Sequence, residues 1–208
     1  QNGLGVAAFQ GDQMIGFLCC FEPWDNAFSS AAKGTFSPIH AHGAIAENRK
    51  KIYQKMYQAA AEKWVKQKIT YHSIGMYAHD AVSIQGFFTY GFGLRCIDAI
   101  RPMELIECDK SEGVHYKELT KNEVFKVRKM RQMLSEHLGS SPCFMYSSTE
   151  DFQKWLIRAE ERDSRLFVAI EDDQLIGFIE VTEDGENFVT EVDTMVNICG
   201  AFCLPEYR

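Results

Sequence analysis

VAAFQGDQMIGFLCCFE, residues 6–22, and FVAIEDDQLIGFIEVTE, residues 167–183, align without a gap, each position of the first matching the position 161 residues later. Both carry Asp-Gln-[Met/Leu]-Ile-Gly-Phe. In each, an apolar run (Val6 to Phe9; Leu166 to Ile170) meets a short polar turn (Gln10 to Gln13; Glu171 to Gln174) and a second apolar run follows. Two β-like runs joined by a short polar turn read as an antiparallel hairpin. Self-similarity at one fixed, long offset reads as duplication of a unit larger than the hairpin.

Working outward, each hairpin is followed by another β-like stretch, Thr35 to Ala41 in the first copy and Met195 to Leu204 in the second. The first copy continues into Asn48 to Gln67, where Ile52, Met56, Tyr57, Ala60, Ala61, Trp64 and Val65 recur at three- and four-residue steps, the signature of a helix with one core face. A strand at Tyr71 to Tyr77, a helix at Asp80 to Thr89, the tripeptide Gly91-Phe92-Gly93 and a last strand at Leu94 to Ile100 complete that copy. The second copy shows what comes before the hairpin. A strand at Val114 to Leu119 leads to Thr120, the N-cap of a helix over Lys121 to His137 with Glu123 at the capping-box position, and a second helix covers Glu150 to Glu161.

Superposed, the copies give one composite order: strand, helix, helix, hairpin, strand, long helix, strand, helix, strand. That order, with these motifs, resembles the GNAT family of acyl-CoA-dependent N-acyltransferases. Gln-[Met/Leu]-Ile-Gly-Phe at 13–17 and 174–178 is similar to the end of the family's hairpin. Ala201-Phe202-Cys203-Leu204-Pro205-Glu206-Tyr207-Arg208 is similar to the end of its fourth strand, with Arg208 opening the R-x-x-G-x-[G/A] phosphate loop. Asp80 to Phe88 followed by Gly91-Phe92 is similar to its late helix, with Phe88 where Tyr is usual. The resemblance implies an α/β fold, an α+β mixed sheet built twice: residues 1–105 the C-terminal part of a first, degenerate GNAT-like domain, 106–113 a linker, and 114–208 the N-terminal part of a second. It also implies roughly 45 residues before Gln1, about 60 after Arg208 and an intact protein of about 310.

The family's chemistry is expected copy by copy. Pyrophosphate is bound by backbone N–H groups of a Gly-rich loop at a helix N-terminus. The first copy has no glycine between Gly43 and Gly75, so its loop is degraded, with Arg49, Lys50 and Lys51 either supplying charge in its place or forming a solvated basic turn. In the second copy the resemblance assigns Ala201, Phe202, Cys203 and Arg208 to acetyl-CoA as co-substrate, the strand presenting main-chain groups to the pantetheine arm. Glu191 and then Asp193, ahead of that strand, are the candidate bases for direct acetyl transfer to a primary amine, against a reading as plain loop charge. The rival reading is a noncatalytic ligand-binding or assembly module.

Composition bounds these expectations. With 46% hydrophobic and 25% charged residues the chain has ample material for a core, and a net charge of −7 argues against a nucleic-acid surface. No apolar run of about 18 residues and no signal-peptide pattern is present, so the expectation is a cytoplasmic protein without a membrane partner. The expected partner is a small-molecule or peptide amine, and a homodimer is compatible with the pattern. Seven cysteines, mostly in apolar segments, read as reduced core thiols. Cys199 and Cys203 lack a second ligand pair. Cys203 has no His or Asp placed to activate it. His40 and His42, spaced to share a strand face, have no third ligand and read as core or cleft histidines, with no metal expected.

Overall fold

In the computed structural model, which describes residues 4–107, 111–141, 151–161, 163–183 and 194–208, both quoted stretches fold as antiparallel hairpins in a mixed α/β chain. The chain divides into two compact units, Gln1–Arg95 and Cys96–Arg208.

In the first unit, β1 (Leu4–Gln10) pairs with β2 (Gln13–Cys20), with a register shift between Ala8 and Phe9. The expected single strand at Thr35 to Ala41 is instead two pieces, β3 (Gly34–Ser37) and β4 (His42–Ala44). Pro38 explains the break: it has no N–H to give to a ladder, and the chain turns through Ile39 and His40 before pairing resumes. β4 pairs antiparallel with β2. Past the end of β2, Phe21 N donates to Phe36 O at 2.9 Å, which carries β3 alongside the same edge. On its other side β3 pairs in parallel with β5 (Tyr71–Ile74), the shortened form of the strand expected to reach Tyr77.

Helix α1 (Arg49–Lys66) crosses between β4 and β5, and its stripe Ile52, Met56, Ala60 and Trp64 is buried against the hairpin, as the four-residue spacing requires. Gly16 makes this seat possible. A Cβ there would lie 2.9 Å from Ile52 Cγ2 and 3.1 Å from Met56 Sδ. α2 (Ala81–Phe88) begins at Asp80, whose carboxylate accepts from Ser83 N at 3.2 Å. The last strand expected at Leu94 to Ile100 does not form. Leu94, Ile97 and Ile100 are exposed in irregular chain with no neighbouring strand to ladder against among the described residues.

In the second unit, β6 (His115–Glu118), β7 (Arg165–Glu171), β8 (Gln174–Thr182) and β9 (Asn197–Cys203) form one antiparallel sheet in that order. The β7–β8 register shift falls between Ala169 and Ile170, the same place in the repeat as the shift in β1–β2. The helix expected over Lys121 to His137 is a 3-10 segment, Lys121–Val127, followed by α3 (Arg128–Ser140). Glu123 accepts from the Thr120 N–H at 3.2 Å and from its hydroxyl at 3.1 Å, the anchoring that the capping box predicts. α4 (Asp151–Glu161) places Trp155 and Ala159 in the core with Val127, Met130, Leu166, Val168, Ile176, Phe178 and Phe202.

Candidate functional site

Two places in the repeat correspond to one another: the end of β4 with the first turn of α1, and the end of β9 with Arg208. In the first unit β3 and β5 run in parallel to Ser37 and Ile74, where Gly75 N still donates to Ser37 O at 2.8 Å, and then the chains part. The wedge between them is filled by the protein's own side chains. His42 lies 2.6 Å from Gly75 O through Nε2 and 2.8 Å from the Tyr53 hydroxyl through Nδ1. A carbonyl only accepts, so Nε2 carries the proton and Nδ1 accepts from Tyr53. Burial pushes the His42 pKa below its ordinary value, keeping the ring neutral.

Arg49 closes the same wedge, donating to Asp80 Oδ2 at 2.8 Å and to the Ala44 carbonyl. Burial works against the Asp80 charge, yet the bonds from Arg49 and Ser83 hold its pKa below the carboxylate's ordinary value. Outside lies a shallow groove lined by Arg49, Lys50, Lys51, Gln54, Lys55 and Tyr90. The sequence singled out Arg49, Lys50 and Lys51 as a possible replacement for missing glycines. The structure commits Arg49 to an internal ion pair and sets Lys50 3.4 Å from Gln85 Oε1.

His40 and His42 do not share a strand face. His40 is exposed in the turn after Pro38, whereas His42 is buried, so the pattern of alternation behind a two-His reading is broken by the turn. No group of three or more metal-ligating side chains occurs among the described residues.

In the second unit β9 is laddered to β8 and, among the described residues, to no other strand. Ala201, Phe202 and Cys203 pair with Ile179, Phe178 and Gly177. Alternate N–H and C=O groups of such an edge point away from the sheet. Phe202 is core, while Ala201 is exposed. Arg208 donates from Nε to Cys203 O at 3.1 Å and stacks over Phe202, its Cζ 5.4 Å from the ring centre. Arg49 bonds Ala44 O in the same way, and Ala44 and Cys203 face the equivalent glycines Gly16 and Gly177. The repeat therefore extends to Arg208. Glu191 and Asp193 lie outside the described residues.

The structure adds a cluster that the sequence reading missed. Glu180, on β8 opposite Gly200, is buried and accepts from Trp155 Nε1 at 2.7 Å. Arg131 sits over the Trp155 ring, its Cζ 5.3 Å from the centre. Burial weighs against its charge and Glu180 offsets this. A Cβ on Gly200 would meet Arg131 Nη1 at 2.9 Å and Glu180 Oε2 at 3.2 Å, so a side chain there would have to push the ends of this pair aside. The β8–β9 register slips between Glu180 and Val181, placing the irregularity of β9 beside this carboxylate. A signal was present in the sequence: Glu180 falls on the apolar alternation Ile176, Phe178, Glu180, Thr182, where a charge must find partners. Burial pushes the Cys199 thiol up to about 11, and the Cys203 thiol lies 3.4 Å from Tyr207 O.

No family model matches the chain and no curated protein matches it. Among solved structures the chain is similar to the C-terminal domain (DUF2156) of a putative lysylphosphatidylglycerol synthetase from Agrobacterium fabrum, with 11% identity, 93% of this chain covered and a TM-score of 0.37. The chain spans 59% of that chain's length.

The expectation of an acetyl-CoA N-acetyltransferase is corrected accordingly. The solved structure to which the chain is similar is named for lysylphosphatidylglycerol synthesis and not for acetyl transfer. No described helix is long and apolar enough to cross a membrane.

Proposed function

We propose that the second unit is a ligand-binding domain of transferase type, which takes an extended, amide-bearing donor arm along the outer edge of β9. Coenzyme A and its thioesters are the donor class that suits this edge, because a pantetheine arm offers amides at strand-like spacing. The group transferred and its acceptor are left unassigned. The observation that carries the reading is that Asn197–Cys203 pairs with β8 and, among the described residues, with no other strand. Added-strand binding draws its affinity from such unused main-chain groups. Arg208, at the end of the edge, supplies a cation suited to an anionic end of the ligand. The first unit, whose corresponding wedge is bolted by His42, Tyr53, Arg49 and Asp80, acts as scaffold.

Isothermal titration of the full chain with coenzyme A tests this. The expected result is one site per chain, weakened about tenfold in Arg208→Ala, a loss of about 1.4 kcal/mol, and unchanged in Lys51→Ala on the first unit's groove. An absence of heat from the unsubstituted protein, or equal weakening by both variants, would overturn it.

A further inference from the structure

Between β2 and β3 the chain makes a short 3-10 turn, Ala27–Ser29, in which Phe28 has φ 53° and ψ 41°. An aromatic residue seldom enters this left-handed region, and one that does is held there by its surroundings. The loop is closed from several sides. Trp24 pairs with Gly34, Ala27 N donates to Ala32 O at 3.0 Å, and the Ser30 hydroxyl donates to Ala27 O at 2.7 Å while accepting from Ala32 N at 3.1 Å. Ala27 is buried, and a Cβ on Gly34 would lie 2.5 Å from Ala27 Cβ and 2.9 Å from Tyr71 O, so glycine lets the turn close onto the start of β5.

The strained turn sets the Phe28 ring among other aromatics, its centre 5.2 Å from that of Trp24, 5.3 Å from that of Tyr71 and 6.1 Å from that of Phe36. Over the same ring lies the Arg95 guanidinium, its Cζ 4.7 Å from the ring centre. Aromatic faces attract cations, and a planar guanidinium gains further by stacking. Trp24 is 37% exposed and Phe28 is half-buried, so this pair of rings reaches solvent. Glu22 and Asp25, both exposed, bracket Trp24, and Lys33 is the one cation in residues 21–33, so the charge of the loop favours a positive guest. Arg95 arrives from irregular chain whose neighbouring residues Leu94 and Cys96 are exposed. We propose that Trp24 and Phe28 form a guanidinium site, which Arg95 occupies in cis and which the arginine side chain of a peptide, or a free guanidine compound, takes when Arg95 leaves. An added guanidinium therefore competes with a tethered one, and its apparent affinity is lowered by the fraction of chains in which Arg95 fills the site. The site belongs to the first unit and does not depend on the donor edge of β9.

The test is fluorine NMR of the 208-residue chain labelled with fluorotryptophan, in which Trp24→Phe identifies the Trp24 resonance among those of Trp24, Trp64 and Trp155. At fixed ionic strength the chain is titrated with N-ethylguanidinium, with a Gly-Arg-Gly amide and with neutral N-ethylurea. The expected result is that the Trp24 resonance moves saturably with both cations and not with the urea, while those of Trp64 and Trp155 stay in place. The apparent Kd should fall about fivefold or more in Arg95→Gln, where the tethered competitor is gone, and adding Phe28→Leu to that variant should abolish the response. Tighter binding of the peptide than of N-ethylguanidinium would point to a peptide ligand and equal binding to a free guanidine compound, and either supports the site. No saturable movement in Arg95→Gln, an equal response to the urea, or the same Kd with and without Arg95 would overturn it. Should Arg95→Gln fail to fold, Arg95→Lys gives a second reading, because an ammonium lacks the plane that stacks. A lower Kd in that variant supports the site, and an unchanged one sinks it.

Discussion

The hairpin of residues 4–20 and that of residues 165–182 share their turn, their register and the position of their bulge, and differ in which side is core. Leu18 and Ile179 are nearly the same side chain at the same point of the same motif, and one is fully buried while the other is 43% exposed. A hairpin's alternation divides its residues into two faces but does not rank them when both are apolar. The ranking comes from the helices: in the first unit α1 follows the hairpin, and in the second α3 and α4 precede it.

The largest effect expected from this contrast is in stability. Leu18→Ala should cost about 2–5 kcal/mol by loss of packing and creation of a cavity, while Ile179→Ala should change stability by no more than about 0.5 kcal/mol. Denaturant titration of both variants in the full chain measures it, and equal losses would mean that the second face is already covered in solution.

A smaller effect belongs to Glu180, the counterpart of exposed Cys19. Removing this carboxylate, as in Glu180→Ala, takes away the acceptor of the Trp155 Nε1 bond and the charge that offsets the burial of Arg131, for a loss of about 1–3 kcal/mol. Cys19→Ala should be close to neutral. If the two variants unfold alike, the buried cluster does not set the geometry around Gly200.

The smallest expected effect is a pH response confined to the first unit. His42 and His72 both have pKa values lowered by burial, so their neutral forms are the folded forms. Their contribution is fully present above the ordinary histidine value of 6.5 and is lost as pH falls below it toward the depressed folded values. Hydrogen exchange at Gly75 should therefore quicken as pH drops below 6.5, after correction for the intrinsic rate, and His42→Gln should flatten the response. A slope unchanged in that variant would remove His42 from its role in closing the wedge.

Much of the architecture was legible before any coordinates. The offset of the repeat located both hairpins, the four-residue stripe from Ile52 to Trp64 located α1 and its buried face, and Thr120 with Glu123 located the start of the helical segment after β6. Local chemistry wrote these features, so local reading found them. The misses share another cause. The strand expected at Leu94 to Ile100 has the right residues and no neighbour to pair with among those described, and the strand expected through Thr35 to Ala41 is divided by Pro38. Of the site, the assignments at Ala201, Phe202, Cys203 and Arg208 fall on the edge strand and its end, whereas Glu180 went unnoticed because a charge on an apolar stripe acquires meaning only from Trp155 and Arg131, far away in sequence.

By itself the sequence determined the duplicated hairpin, its turn and the periodic faces of the helices, since each is fixed by residues a few positions apart. Only the tertiary structure decided which face of each hairpin is buried, that His42, Tyr53, Arg49 and Asp80 close one wedge, and that Glu180 lies beneath Gly200. Those outcomes depend on which distant elements reach a given face, and side-chain alternation along a strand carries no information about its neighbours across the sheet.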